Sequence, residues 1–173
     1  SGSPKPFYAP DPGKFPSSIP TVLAISLPRA PNNVFDGAVL DTGAAKSVIG
    51  LSQAHAYCRE YRIPFAPTTS TSRFIFGDQE CASLGKLNIL VPCPGTDLKV
   101  CIDIVQPSVP LLLGIDTLDK HKLNVLSVEN KLHSVVFGWT LPLVRQQGHL
   151  YLKWHPPSET FYSRQQLYRL HQH

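Results

Sequence analysis

The amino-acid sequence predicts a mainly β domain with one or two short helices. Three observations lead there. Prolines number 17 in 173 residues, about twice the average share, and proline breaks helix interiors, which argues against a helical bundle. Short apolar runs recur along the chain, separated by clusters of Pro, Gly and Asp that punctuate strands and turns. Several of these runs alternate apolar and polar residues with the period of a strand.

Composition narrows the class. Hydrophobic residues make up 42% and charged residues 16%, the balance of a globular chain long enough for one domain and a tail. The net charge is +4 and no Lys/Arg run exceeds two residues, so nucleic-acid binding through this domain is not expected. No apolar run approaches the roughly 18 residues of a membrane span. Methionine is absent. Ser1-Gly2-Ser3 therefore reads as a cloning remnant, and the rest as an internal piece of a longer polypeptide. Cys58, Cys81, Cys93 and Cys101 contain no CxxC pair and no His at ligand spacing. They read as reduced thiols in an intracellular setting, and no metal is expected.

The elements follow in order. Residues 1–19 form a proline-rich linker. A strand runs from Thr21 to Leu27 between two prolines, and a second from Val34 to Leu40 leads into Asp41-Thr42-Gly43. Val48 to Leu51 resumes the apolar pattern. Ser52 to Tyr61 reads as a helix with Ser52 as its cap and Pro64 beyond its end. Ser72 to Leu84 reads as a hairpin, with Phe74 and Phe76 alternating against Arg73 and Ile75 and Gly77-Asp78 at the turn. Gly85–Val91 and Leu98–Val105 are strands; in the latter Leu98, Val100, Ile102 and Ile104 share a face. Pro110 to Gly114 is a fully apolar strand. Asp116 or Thr117 then caps a helix to about Leu123, with Lys120, His121 and Lys122 favourably placed at its C-terminus. Asn124–Ser127 and Lys131–Phe137 close a domain drawn over residues 20–138. Beyond it, Gly148–Trp154 alternates like a strand, and Ser163–His171 begins a helix.

The strongest chemical signal is Ala38-Val39-Leu40-Asp41-Thr42-Gly43-Ala44. A carboxylate directly after a buried apolar strand is costly unless it is paired or used. Thr42 can hold the turn by its hydroxyl, and Gly43 permits a tight turn that brings backbone N–H groups to the carboxylate. An Asp-Thr-Gly turn also occurs as plain structure between strands. Its surroundings add weight: Ser47-Val48-Ile49 follows, Gly77-Asp78 sits in the hairpin, and Leu111-Leu112-Leu113-Gly114-Ile115-Asp116 comes later.

This series, in this order and spacing, resembles the retropepsins, the aspartic proteases of retroviruses and LTR retrotransposons, over about Pro20 to Leu132. The resemblance implies a closed β-barrel of acid-protease half-fold type, active as a homodimer. It makes Asp41 the catalytic residue, with Thr42, Gly43 and Ala44 supporting its loop. Phe76, Gly77 and Asp78 would lie in a flap over substrate, and Leu112, Leu113 and Gly114 in the strand threading beside the catalytic loop. Two departures stand out. The flap has a single Gly followed by Gln79-Glu80, and Ile115 stands where many retroviral relatives have Arg.

Asp116 is followed by Thr117 and then Leu118 where a second motif would need Gly, so it reads as a helix cap. One catalytic Asp per chain implies a homodimer with the site on its two-fold axis. Two Asp41 carboxylates then share a proton, and no cofactor is called for. His55 and His121 read as solvated helix faces, and Ser47 has no His placed to activate it. The tail around Trp139–Leu143 and Gly148–Leu152, with Leu167–His171, resembles the segment leading from protease toward an integrase-like region in LTR-retrotransposon Gag-Pol polyproteins. The expected activity is processing of that polyprotein, in the cytoplasm or in virus-like particles. Two alternatives stay open: a host-encoded or domesticated retropepsin-like protease, and a catalytically silent dimeric domain that binds peptide or protein.

Overall fold

The computed structural model describes the strand Thr21–Leu23 and residues 34–154. The linker over 1–19, the rest of the first expected strand and the helix expected over Ser163–His171 lie outside the described residues.

The strands are β1 (Thr21–Leu23), β2 (Gly37–Leu40), β3 (Val48–Gly50), β4 (Arg73–Phe76), β5 (Gln79–Ala82), β6 (Lys86–Val91), β7 (Leu98–Val105) and β8 (Leu111–Leu113). After them come β9 (Leu123–Leu126), β10 (Lys131–Ser134), β11 (Thr140–Pro142), β12 (Val144–Gln146) and β13 (His149–Lys153). Helix α1 (Leu51–Glu60) follows β3, and α2 (Ile115–Lys120) follows β8. The mainly β prediction therefore holds.

The main sheet has the order β12-β13-β2-β8-β3-β7-β6. Its centre mixes parallel and antiparallel pairs: β2 with β8 and β3 with β7 are parallel, while β3 meets β8 antiparallel at Val48 and Leu112. A strand buried on both faces reads as a continuous apolar run, and β2, β3 and β8 are buried at every position. Neighbouring residues on them enter different apolar clusters. Ile49, Leu111 and Leu113 join the large core with Tyr57, Ile89, Ile102 and Ile104. Val48 and Leu112 join a smaller cluster with Ala44, Phe74, Val105 and Val109. Two small sheets flank this body, β1-β4-β5 and β11-β10-β9.

The strand-rich body continues past Gly138. Leu150 pairs with Leu40, Tyr151 with Val39 and Leu152 with Ala38. Leu143, Leu150 and Leu152 are core residues, and Trp154 packs against them. A boundary at 138 divides this sheet, because composition does not show which strand covers the open edge of β2.

Element ends differ from expectation where tertiary contacts set them. Helix α1 is capped by Gly50 and not by Ser52. The Gly50 N–H is held by the Val109 carbonyl at 3.1 Å, so β3 delivers the chain straight into the helix. The Ser52 hydroxyl is buried without a hydrogen-bond partner. Helix α2 is capped by Gly114 and not by Asp116 or Thr117, and it stops at Lys120. Lys122 then takes φ +53°, and Leu123 opens β9. Strand β10 ends at Ser134, before Val135-Val136-Phe137. There the Ser134 hydroxyl accepts the Phe137 N–H and the Ser134 carbonyl accepts the Gly138 N–H, closing a turn.

Candidate active site

Asp41 follows β2, and its N–H donates to the Leu113 carbonyl at 3.0 Å, extending the β2–β8 pairing by one residue. The chain then folds back on itself. The Ala44 N–H reaches the Asp41 carbonyl at 3.2 Å, and the Gly43 N–H donates to Asp41 Oδ1 at 2.8 Å. An Asp that accepts from the N–H two residues on fixes its own turn and its own rotamer. Asp41 is half-buried, Thr42 and Gly43 are exposed, and Ala44 is buried. The carboxylate is thus held from one side and open on the other.

The segment after β8 threads against this loop. The Ile115 N–H donates to the Ala44 carbonyl at 2.8 Å. A Cβ at Gly114 would stand 2.7 Å from the Ala44 carbonyl oxygen and 2.8 Å from that of Lys46. The crossing therefore requires glycine. Leu113 and Gly114 run directly beside the Asp41 loop, with Leu112 paired to Val39 one step before them.

Phe76 pairs with Gln79, so Gly77 and Asp78 form a two-residue turn. Gly77 has φ +65°, and Asp78 is not among the residues of positive φ. That is the pattern of a II′ hairpin turn with Gly first. Phe74 is fully buried in the cluster that holds Ala44, Val48 and Leu112, and Phe76 packs on it. The hairpin base and the Asp41 loop therefore share one apolar footing, while Gly77 and Asp78 project as an exposed tip. Arg73 and Glu80 form an ion pair across the hairpin.

Sequence reasoning misses one part of the site. Ser47 is buried, and its hydroxyl lies 2.8 Å from Asp116 Oδ1, 2.7 Å from Thr117 Oγ1 and 2.9 Å from the Gly114 nitrogen. The Ser47 N–H donates to Asp116 Oδ2 at 3.1 Å. Asp116 is thus engaged with Ser47 and the helix start. The available signal is weak: a polar residue at the start of an apolar run, and an acidic one just after Gly114.

Other titratable side chains are poor rivals. Burial pushes the Cys58 thiol up to about 11. Burial, with the Asp97 charge, pushes Cys93 up to about 12. Thiols so shifted are inert as nucleophiles. His121 is lowered, chiefly by burial, against the expectation of a solvated, cationic helix end. His55 is exposed and lies 4.0 Å, centroid to centroid, from the Phe65 ring. Among the described residues, no three His, Cys, Asp or Glu side chains form a group that could hold a metal ion.

One carboxylate on a rigid loop can take a proton from water or give one to a substrate, but not both at once. No protein-family model matches the sequence, and no curated protein matches it. Among solved structures the chain is similar to the retroviral protease-like domain of Ddi1 from Leishmania major. The identity is 18% and the TM-score 0.49, covering 70% of this chain and 94% of that one.

Proposed function

We propose that this chain is an aspartic endopeptidase of the retropepsin type, working as a homodimer and cutting a retrotransposon polyprotein that includes its own flanks. One observation carries the reading. A single half-exposed carboxylate, Asp41, sits on a turn fixed by its own Gly43 N–H and braced against Leu113 and Ile115. A hydrolytic site of this kind needs a second carboxylate. Asp116 is committed to Ser47, so the second is the Asp41 of another copy, met on a two-fold axis.

Two such carboxylates cannot both ionise at close range and hold one proton between them. The ionised one takes a proton from water, which attacks the peptide carbonyl. The protonated one polarises that carbonyl and then helps protonate the leaving nitrogen. Substrate lies as an extended strand beneath the two hairpins, bound by its main chain, with Phe76, Gly77 and Asp78 above it.

The test is cleavage of a peptide library from pH 4 to 8 at several enzyme concentrations, comparing wild type with Asp41→Asn. Activity is expected on the acidic side, to disappear in the variant, and to rise faster than linearly at low concentration. A rate still climbing above pH 8, or cleavage that survives the variant, would sink the reading.

A further inference from the structure

The hydrogen bonds around Ser47 have a fixed direction, and the direction follows from counting protons. A serine hydroxyl has one proton and two lone pairs. Here it meets three partners: the Gly114 N–H, Asp116 Oδ1 and the Thr117 hydroxyl. The Gly114 N–H can only donate. An ionised carboxylate can only accept. The Ser47 proton therefore goes to Asp116, and Thr117 donates its proton to Ser47. Asp116 Oδ1 also accepts the Thr117 N–H at 2.8 Å, and Oδ2 accepts the Ser47 N–H. Each of these contacts of the two carboxylate oxygens is with a donor.

This cluster closes the far end of the Asp41 loop. The loop is tied at its start by Asp41 N–H to Leu113, in its middle by Ile115 N–H to Ala44, and at its end by Ser47 to residues 114–117. All three ties reach the same short segment.

We propose that Ser47 and Asp116 are positioning residues that act as a one-way hydrogen-bond lock, holding the Asp41 loop in register with the strand that threads beside it. The inference rests on the endopeptidase reading for its consequence, though not for its geometry. It makes a sharp demand: residue 116 must offer acceptors from both oxygens. Asparagine has the same shape but one oxygen and one NH2 group. With the NH2 at Oδ2 the Ser47 N–H loses its acceptor; with it at Oδ1 the Ser47 hydroxyl proton loses the carboxylate and the Thr117 N–H keeps only the Gly114 carbonyl at 3.2 Å. As a plain helix-end residue, by contrast, asparagine serves nearly as well as aspartate.

The experiment compares Ser47→Ala, Ser47→Thr and Asp116→Asn in the full chain, each checked for folding and dimerisation. On a peptide that wild type cleaves, Ser47→Ala and Asp116→Asn should lower kcat by about ten- to a hundredfold, the scale of a small misplacement of a reacting group. KM should change little, and Ser47→Thr, which keeps the hydroxyl, should recover most of the rate. Wild-type kcat in Asp116→Asn would overturn the lock, and so would a loss that falls wholly in KM. Amide hydrogen exchange separates this from the endopeptidase reading. Whether or not wild type cleaves anything, the Ser47 and Gly114 N–H groups should exchange at least about tenfold faster in Asp116→Asn and Ser47→Ala respectively, with the β6 amides unchanged. Unchanged exchange at both would overturn the lock even if Asp41 proves catalytic.

Discussion

At Gly114 two chain segments cross with no room for a side chain. Gly114→Ala puts a Cβ against two backbone carbonyls, which cannot swing aside as a side chain does. We expect a loss of about 1–3 kcal/mol in urea unfolding, the usual cost of overpacking, and with it the geometry of Asp41. A Gly114→Ala variant of unchanged stability would show that the crossing is looser than its distances imply. The thiols offer a second residue-scale test. Cys58 and Cys93 are shifted to about 11 and about 12, whereas Cys101 is exposed on β7. At pH 8 a thiol reagent should modify Cys101 fastest in the native protein, the half-buried Cys93 more slowly, and the buried Cys58 only on unfolding. Rapid native labelling of Cys58 would contradict its burial. At this scale Asp41 is legible in the sequence because an apolar run ends on it and a Gly follows two residues later. Ser47 and Asp116 are not, because what joins them is a crossing in space that no local pattern records.

Among the elements, the strands whose apolar residues alternate or run unbroken are readable in advance: β4 to β8 and β13 lie within the expected segments. The ends are not, because hydrogen bonds that the apolar pattern does not record decide them. Gly50 caps α1 for the sake of a bond to Val109, and a turn around Ser134 stops β10 short of Phe137. The β4–β5 hairpin is fixed by Phe74, which has no exposed surface. Phe74→Ala should cost about 3–5 kcal/mol as a core truncation. It should also speed hydrogen exchange along β4 and β5 more than along β6. Uniform loss of protection would mean that the hairpin is not a separable unit. At the end of α2, His121 is lowered by burial against the smaller raising effect of the Lys99 carbonyl, and the Lys120 charge adds to the lowering. Its folded value is lowered, so below about pH 6.5 the unfolded chain takes up a proton that the folded chain resists. Stability should fall as pH drops through that window, and His121→Gln should flatten the slope. A variant with the same slope as wild type would assign the pH dependence elsewhere.

For the whole molecule, the unexpected partner is β13. Cutting the chain after Gly138 removes Leu143, Leu150 and Leu152 from the core and bares the edge of β2. An uncovered, apolar edge strand invites aggregation. The shortened chain should aggregate or melt well below one ending after Trp154. Equal melting temperatures would make β12 and β13 an ornament.

The strand that leads into Asp41 is also flanked by late arrivals. Of its two neighbours in the sheet, β8 comes long after it, and β13 comes at the far end of the described chain. During synthesis β2 leaves the ribosome with neither neighbour in existence, and it must wait until His149–Lys153 has been translated. Pairings of such long sequence separation fold slowly, over milliseconds to seconds. On the endopeptidase reading proposed above, cleavage would therefore wait for translation of the segment that follows Gly138. That delay is a clock written into chain topology: the Asp41 loop gains the full sheet behind it only after His149–Lys153 has been made.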